Sequence, residues 1–166
     1  MTTNTELIKL CLIRVHKLIE SLTFYRDSDE KEPWKATFAE LIMTVDDLLK
    51  HFRQLGQEIA FTEAVGVNGK IQDITSLVVW MRSCLPALIT DLSDHLPANR
   101  LNRYFNQGNG YFANGCFFSV DYDNEQAFFI DDQRIYLKHH LVRLVDEVES
   151  YLSFPNSQQT NRPNLA

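Results

Sequence analysis

The chain has 166 residues, 45% of them hydrophobic and 23% charged, which describes one ordinary globular domain able to bury roughly two-thirds of its extended-chain surface without covalent staples. Its formal charge of -6 and pI near 5.3 argue against broad DNA binding, because nonspecific attraction to phosphate backbones needs clustered Lys and Arg. Cys11, Cys84 and Cys116 are odd in number and far apart, so they fit neither a disulfide framework nor a zinc site and read as three reduced, buried thiols.

The first helix is announced by Thr3-x-x-Glu6, which has the form of a capping box, and by Leu7, Ile8, Cys11, Leu12, Val15, Leu18, Ile19 and Leu22 at helical spacing. It is expected over about residues 4–25. Lys9, Arg14, His16, Lys17 and Glu20 interrupt its apolar run, so it cannot span a bilayer. His16 falls on the charged side, where solvent is its default partner. The opening Thr-Thr-Asn-Thr-Glu lacks a basic n-region, and the expectation is a cytoplasmic protein without membrane association.

After the acidic turn Asp27-Ser28-Asp29-Glu30, Pro33 suits the first turn of a second helix. There Trp34, Phe38, Leu41, Val45, Leu48, Phe52 and Leu55 alternate steps of four and three, and Gly56 is placed to end the run. Such a seam serves either a dimer or an antiparallel partner helix, and the short connection to the first helix favours the second. Gly66-Val67-Asn68-Gly69 marks a turn; it lacks the spacing and the following Lys of a phosphate loop. A third, highly apolar helix runs from Ile74 to Leu92 with Asp73 as its cap. Pro86 predicts a kink or break in it.

Beyond Ser93, Gly and Asn break any helical period. Cys116 to Tyr122 and Ala127 to Ile130 then flank Asp123-Asn124-Glu125 and read as a β-hairpin at about 116–130, with one aromatic face laid on the helices. Stacking of those aromatics on single-stranded bases would need a basic groove, and this segment carries Asp and Glu instead. Asp131 and Asp132 are expected to cap the last helix, in which Leu137, Leu141, Leu144, Val145, Val148, Tyr151 and Leu152 form one apolar arc. Residues 153–166, with Pro155 and Pro163, read as a flexible tail.

The fold expected is therefore mainly α, an antiparallel helical bundle with a β-hairpin inserted before the last long helix, forming a single domain over about residues 1–152.

The last helix also carries the one motif that suggests chemistry, Arg134-x4-His139. Size, helix count and the position of this motif make the chain similar to helical domains of the HEPN group, with Ile135 where that family usually has a polar residue after the arginine. The resemblance implies metal-independent RNA cleavage of the toxin or defence type, with Arg134 stabilising phosphate charge, His139 transferring protons, and two motifs brought together by dimerisation. A decayed relative would keep the scaffold alone. Set against this, Lys138, His139, His140 and Arg143 form a basic collar, balanced by Asp146 and Glu147 at helical spacing. On that account Lys138, His140 and Arg143 bind a ligand or partner. No motif with the spacing of metal ligands is present, and no cofactor is expected. The favoured reading is a noncatalytic interaction or regulatory protein that docks a protein partner or a second copy of itself. RNA enters only under the HEPN-like alternative.

Overall fold

In the computed structural model, which describes residues 2–25, 33–89 and 101–153, helix α1 spans Asn4–Ile19, α2 Trp34–Gln54, α3 Ile74–Ile89 and α4 Arg143–Ser153. Strands β1 Leu101–Phe105, β2 Gly108–Tyr111, β3 Phe117–Val120, β4 Gln126–Ile130 and β5 Gln133–Tyr136 lie between α3 and α4. A single 3-10 turn, Leu22–Phe24, follows α1, and a π-helical turn, Leu137–Val142, leads into α4. The acidic turn at 27–30, the end of the third apolar run and the expected tail from 154 onward lie outside the described residues.

The helices form for the reasons their sequences give. Thr3 and Glu6 close a reciprocal capping box at the head of α1. Asp73 and Ser76 do the same for α3: the Ser76 amide donates to Asp73 Oδ1 at 2.9 Å and the Asp73 amide to Ser76 Oγ at 3.0 Å. Gly56, at φ +80°, follows α2 in the left-handed conformation that only glycine adopts without strain. The α2 seam from Trp34 to Phe52 is buried within the chain, where α2 packs between α1 and α3. It is an inward face and not a free coiled-coil strip. α1 ends earlier than its apolar pattern suggests, because Ser21 caps the 3-10 turn, and α3 continues through Pro86. No helix among the described residues is long and apolar enough to cross a membrane.

The bundle expected from the sequence is corrected by the segment between α3 and α4. Of the described residues, 54% are helical and 18% extended, and the strands make two antiparallel sheets ordered β1-β4-β5 and β2-β3. The hairpin expected at 116–130 does not form, since β3 pairs back onto β2 (Gly110↔Phe118) while β4 pairs with β1 and β5. Asp131 and Asp132 cap no helix. They are the two-residue turn between β4 and β5, with Asp131 at φ 54°, a conformation that aspartate tolerates better than most residues.

Burial of β4 on both faces explains why this small sheet exists. On one face Phe128 lies 4.6 Å from Phe38 and 5.4 Å from Phe24, ring centre to ring centre, inside the helical core. On the other, Phe129 meets Phe112 at 5.2 Å and Phe118 at 6.0 Å, in a second apolar cluster with Val120 and Tyr136. The β1-β4-β5 sheet is thus a middle layer, with helices below and the β2-β3 ribbon above. Its strands carry the chain to the start of α4, where the polar groups converge.

Candidate functional site

The β4-β5 register pairs Ala127 with Tyr136, and continuing it outward by two residues sets Glu125 opposite Lys138, at the mouth of the π-helical turn. A helix begins with amides that lack intrahelical acceptors. Here Glu125 supplies the acceptor from another segment. Its carboxylate receives the amides of Lys138 (3.1 Å), His139 (2.8 Å) and Gln126 (2.8 Å), and its side chain is wholly inaccessible to solvent.

The same carboxylate meets His139 Nδ1 at 2.6 Å. An ionised carboxylate only accepts hydrogen bonds, so beside it Nδ1 carries a proton, and in the neutral form of the ring the lone pair is then on Nε2. Tyr122 fixes the plane of the ring by stacking on it at 3.6 Å with 7° between the rings. Nε2 has no hydrogen-bond partner among the described residues, and His139 lines an open cleft of about 880 Å³.

Phe52, Ile59, Val142 and Tyr151 give the cleft its apolar walls. Its charged lining comprises four carboxylates, Glu58, Glu63, Asp146 and Glu147, against two cations, Lys138 and Arg143. Most of these are already engaged. Arg143 bridges Glu147 at 2.9 Å and Glu63 at 3.2 Å while its guanidinium lies 3.8 Å over the Phe61 ring. These bonds outweigh the partial burial that opposes charge and hold Arg143 above its ordinary pKa. Glu63 is held below the usual carboxylate range by its own backbone amide and then by Arg143. Glu58 pairs with Arg53 at 3.2 Å, and Lys138 Nζ donates to the Asn124 carbonyl at 2.8 Å. Asp146 has no ion pair or hydrogen bond among the described residues.

Of the residues singled out by the sequence, Lys138, His139 and Arg143 share this cleft. His140 is not on the collar. It is fully buried, its Nδ1 accepting the Tyr136 amide at 2.9 Å and its Nε2 donating to the Glu63 carbonyl at 3.0 Å. Burial pushes its pKa down to about 4, so the ring is a neutral strut tying the π-helical turn to the loop at Glu63. Consecutive residues of a helical turn point to different sides, so the neighbouring histidines part, His140 into the core and His139 into the lining of the cleft.

Arg134 lies on β5 and not on a helix. It donates to the carbonyls of Ser119 (2.7 Å) and Ala64 (3.2 Å), lies 3.5 Å from Asp121, and covers the Tyr136 ring at 4.7 Å. It lines a different and smaller pocket, of about 190 Å³, with Ser119 and Gln133. Within one copy, the members of the Arg-x4-His motif therefore open on separate cavities.

Sequence reasoning missed Glu125, Tyr122 and Glu63. Glu125 carried one signal, a carboxylate directly abutting the apolar run that becomes β4, but its place beside Asp123-Asn124 gave it the look of a turn residue.

Among the described residues no group of three or more His, Cys, Asp or Glu converges as a metal site. The three cysteines are unpaired and half-buried, and burial raises the pKa of each thiol. In comparison with family models, curated proteins and solved structures, the chain matches none.

Proposed function

We propose that this chain is a noncatalytic interaction protein that seats a segment of a protein partner in the cleft between residues 57–63 and α4. The observation that carries the reading is the cleft itself. Its volume of about 880 Å³ lies in the range of binding sites, and it joins apolar walls to a few fixed polar groups, as recognition sites do. Lys138 and Arg143, expected from the sequence to contact a partner, stand on its rim. Because carboxylates outnumber cations there, the cleft suits a protein segment better than a polyanion.

A displayed random-peptide library, selected on the wild-type chain and on a Val142→Arg variant with unchanged circular dichroism, tests this. Peptides retained by the wild type and lost on the variant are the expected result. Equal retention, or no enrichment, overturns the proposal.

The HEPN-like alternative has one observation in its favour, the His139 ring whose tautomer is set by a buried carboxylate, an arrangement suited to proton transfer. It would also need Arg134, whose guanidinium is occupied elsewhere. Incubation of the wild type, Arg134→Ala and His139→Ala with RNA in the absence of metal decides this point. Cleavage by the wild type that is lost in both variants would displace the interaction reading.

A further inference from the structure

The cleft has a chemical bias that charge counting understates. Its two cations already have acceptors: Arg143 in Glu63 and Glu147, Lys138 in the Asn124 carbonyl. Glu58 and Glu63 are likewise paired. Among the charged and imidazole groups two positions have no partner at all among the described residues, and both are acceptors. One is the Asp146 carboxylate, exposed and without a partner among the described residues. The other is His139 Nε2, an acceptor in the neutral ring, whose proton Glu125 holds on Nδ1. Gln57, Ser150 and the hydroxyls of Tyr122 and Tyr151, also in the lining, can donate or accept and so favour neither sign.

A surface offering carboxylate and imidazole lone pairs is complemented by a group that only donates and is cationic. Among side chains, those are the guanidinium of arginine and the ammonium of lysine. The aromatic wall at Tyr151, edge-on to Phe52 at 5.2 Å, adds a surface on which a guanidinium or an aliphatic stem can lie.

We infer that the partner segment is basic and anchors an arginine or lysine side chain at Asp146 in this cleft. The inference rests on the docking reading above and names the chemistry of the occupant. It also fits the net charge of -6, which speeds encounter with a basic partner at low salt.

The test is a titration of the full chain, followed through backbone amide NMR shifts, with N-acetyl-arginine amide, its neutral isostere N-acetyl-citrulline amide, and N-acetyl-glutamate α-amide, whose side-chain carboxylate is free at pH 7, as its acidic counterpart. The arginine derivative is expected to shift residues of the cleft saturably and to bind about fivefold tighter than the citrulline one, as a partly exposed ion pair allows. Asp146→Asn should remove that preference, and Asp146→Lys should turn it toward the acidic ligand. Equal binding of arginine and citrulline derivatives, preference of the wild type for the acidic one, or no saturable shift in the cleft overturns the inference. Library peptides that map to the cleft yet lack basic residues would sink it and leave the docking reading standing; peptides that ignore the cleft would sink both.

Discussion

Asp46 on α2 and Glu125 ahead of β4 are equally buried, each 3% exposed, but they are held in opposite ways. Asp46 lies between two helices and is neutralised by side chains that reach in from solvent, Arg82 at 2.8 Å and Lys50 at 2.9 Å. Arg82 keeps further acceptors in Asp47 (2.8 Å) and the Met43 carbonyl (3.2 Å). Glu125 is held by three backbone amides and one imidazole, and the amides of Lys138 and His139 cannot leave it without unwinding the π-helical turn. The first carboxylate staples helices that their apolar seams already hold together. The second defines where a helix begins and which nitrogen of a cleft-lining histidine is tied to a carboxylate.

That difference predicts unequal costs. Glu125→Ala leaves the amides of Lys138 and His139 without their acceptor beside a buried sheet, and the loss expected is about 4 kcal/mol, the range for removing one member of a buried charged network. Glu125→Gln keeps a carbonyl acceptor and should cost about half as much. Urea unfolding followed by circular dichroism measures both. A loss below about 1 kcal/mol for Glu125→Ala would break the distinction drawn between the two carboxylates.

The buried neighbour of His139 sharpens the comparison through pH. His140 titrates near 4 in the folded chain and near 6.5 when unfolded. Between those values the unfolded chain binds more protons, so stability falls as pH drops from about 6.5 to about 4 and the loss levels off below that, for a total of about 3 kcal/mol. In His140→Gln, which does not titrate, the fall in unfolding free energy over this window should be smaller by that amount. Identical pH profiles for the two proteins would mean that His140 is not the neutral strut described.

The contrast also separates what the sequence reveals from what it hides. Helices α1, α2 and α3 are legible because capping and apolar period agree: Thr3 with Glu6, the seam ended by Gly56, and Asp73 ahead of an almost uncharged run. The sheets are hidden by local signals that conflict with long-range pairing. Gly108-Asn109-Gly110-Tyr111 looks like loop but forms β2 against Phe117–Val120. Gln133 and Arg134 look like the polar first turn of a helix, yet β5 buries Gln133 and half-buries Arg134 as the hairpin mate of Phe129–Ile130. Part of the site is legible, since Lys138, His139 and Arg143 cluster in sequence as they do in space. Glu125 is not, because its partners lie across a register set only when β4 and β5 pair.

On the other side of the comparison, Asp46→Ala should cost only about 1 kcal/mol. Arg82 is 34% exposed and retains Asp47, so no uncompensated buried charge remains. Chemical denaturation beside Glu125→Ala gives the ratio directly. A cost for Asp46→Ala matching that of Glu125→Ala would show that both carboxylates organise the backbone around them.

The smallest expected change in stability belongs to His139→Gln, and it separates scaffold from site. The His139 side chain is 43% exposed, and Glu125 keeps its three amides when the imidazole is removed. The loss should stay below about 1 kcal/mol, the scale of one partly exposed hydrogen bond. A ring that only steadied the fold would have no other readout. One that presents an acceptor to the cleft should, when replaced, weaken the N-acetyl-arginine amide titration several-fold while the urea midpoint barely moves. Should the midpoint instead drop with binding unchanged, His139 belongs to the structural network of Glu125 and the recognition surface shrinks to Asp146 and the walls around it.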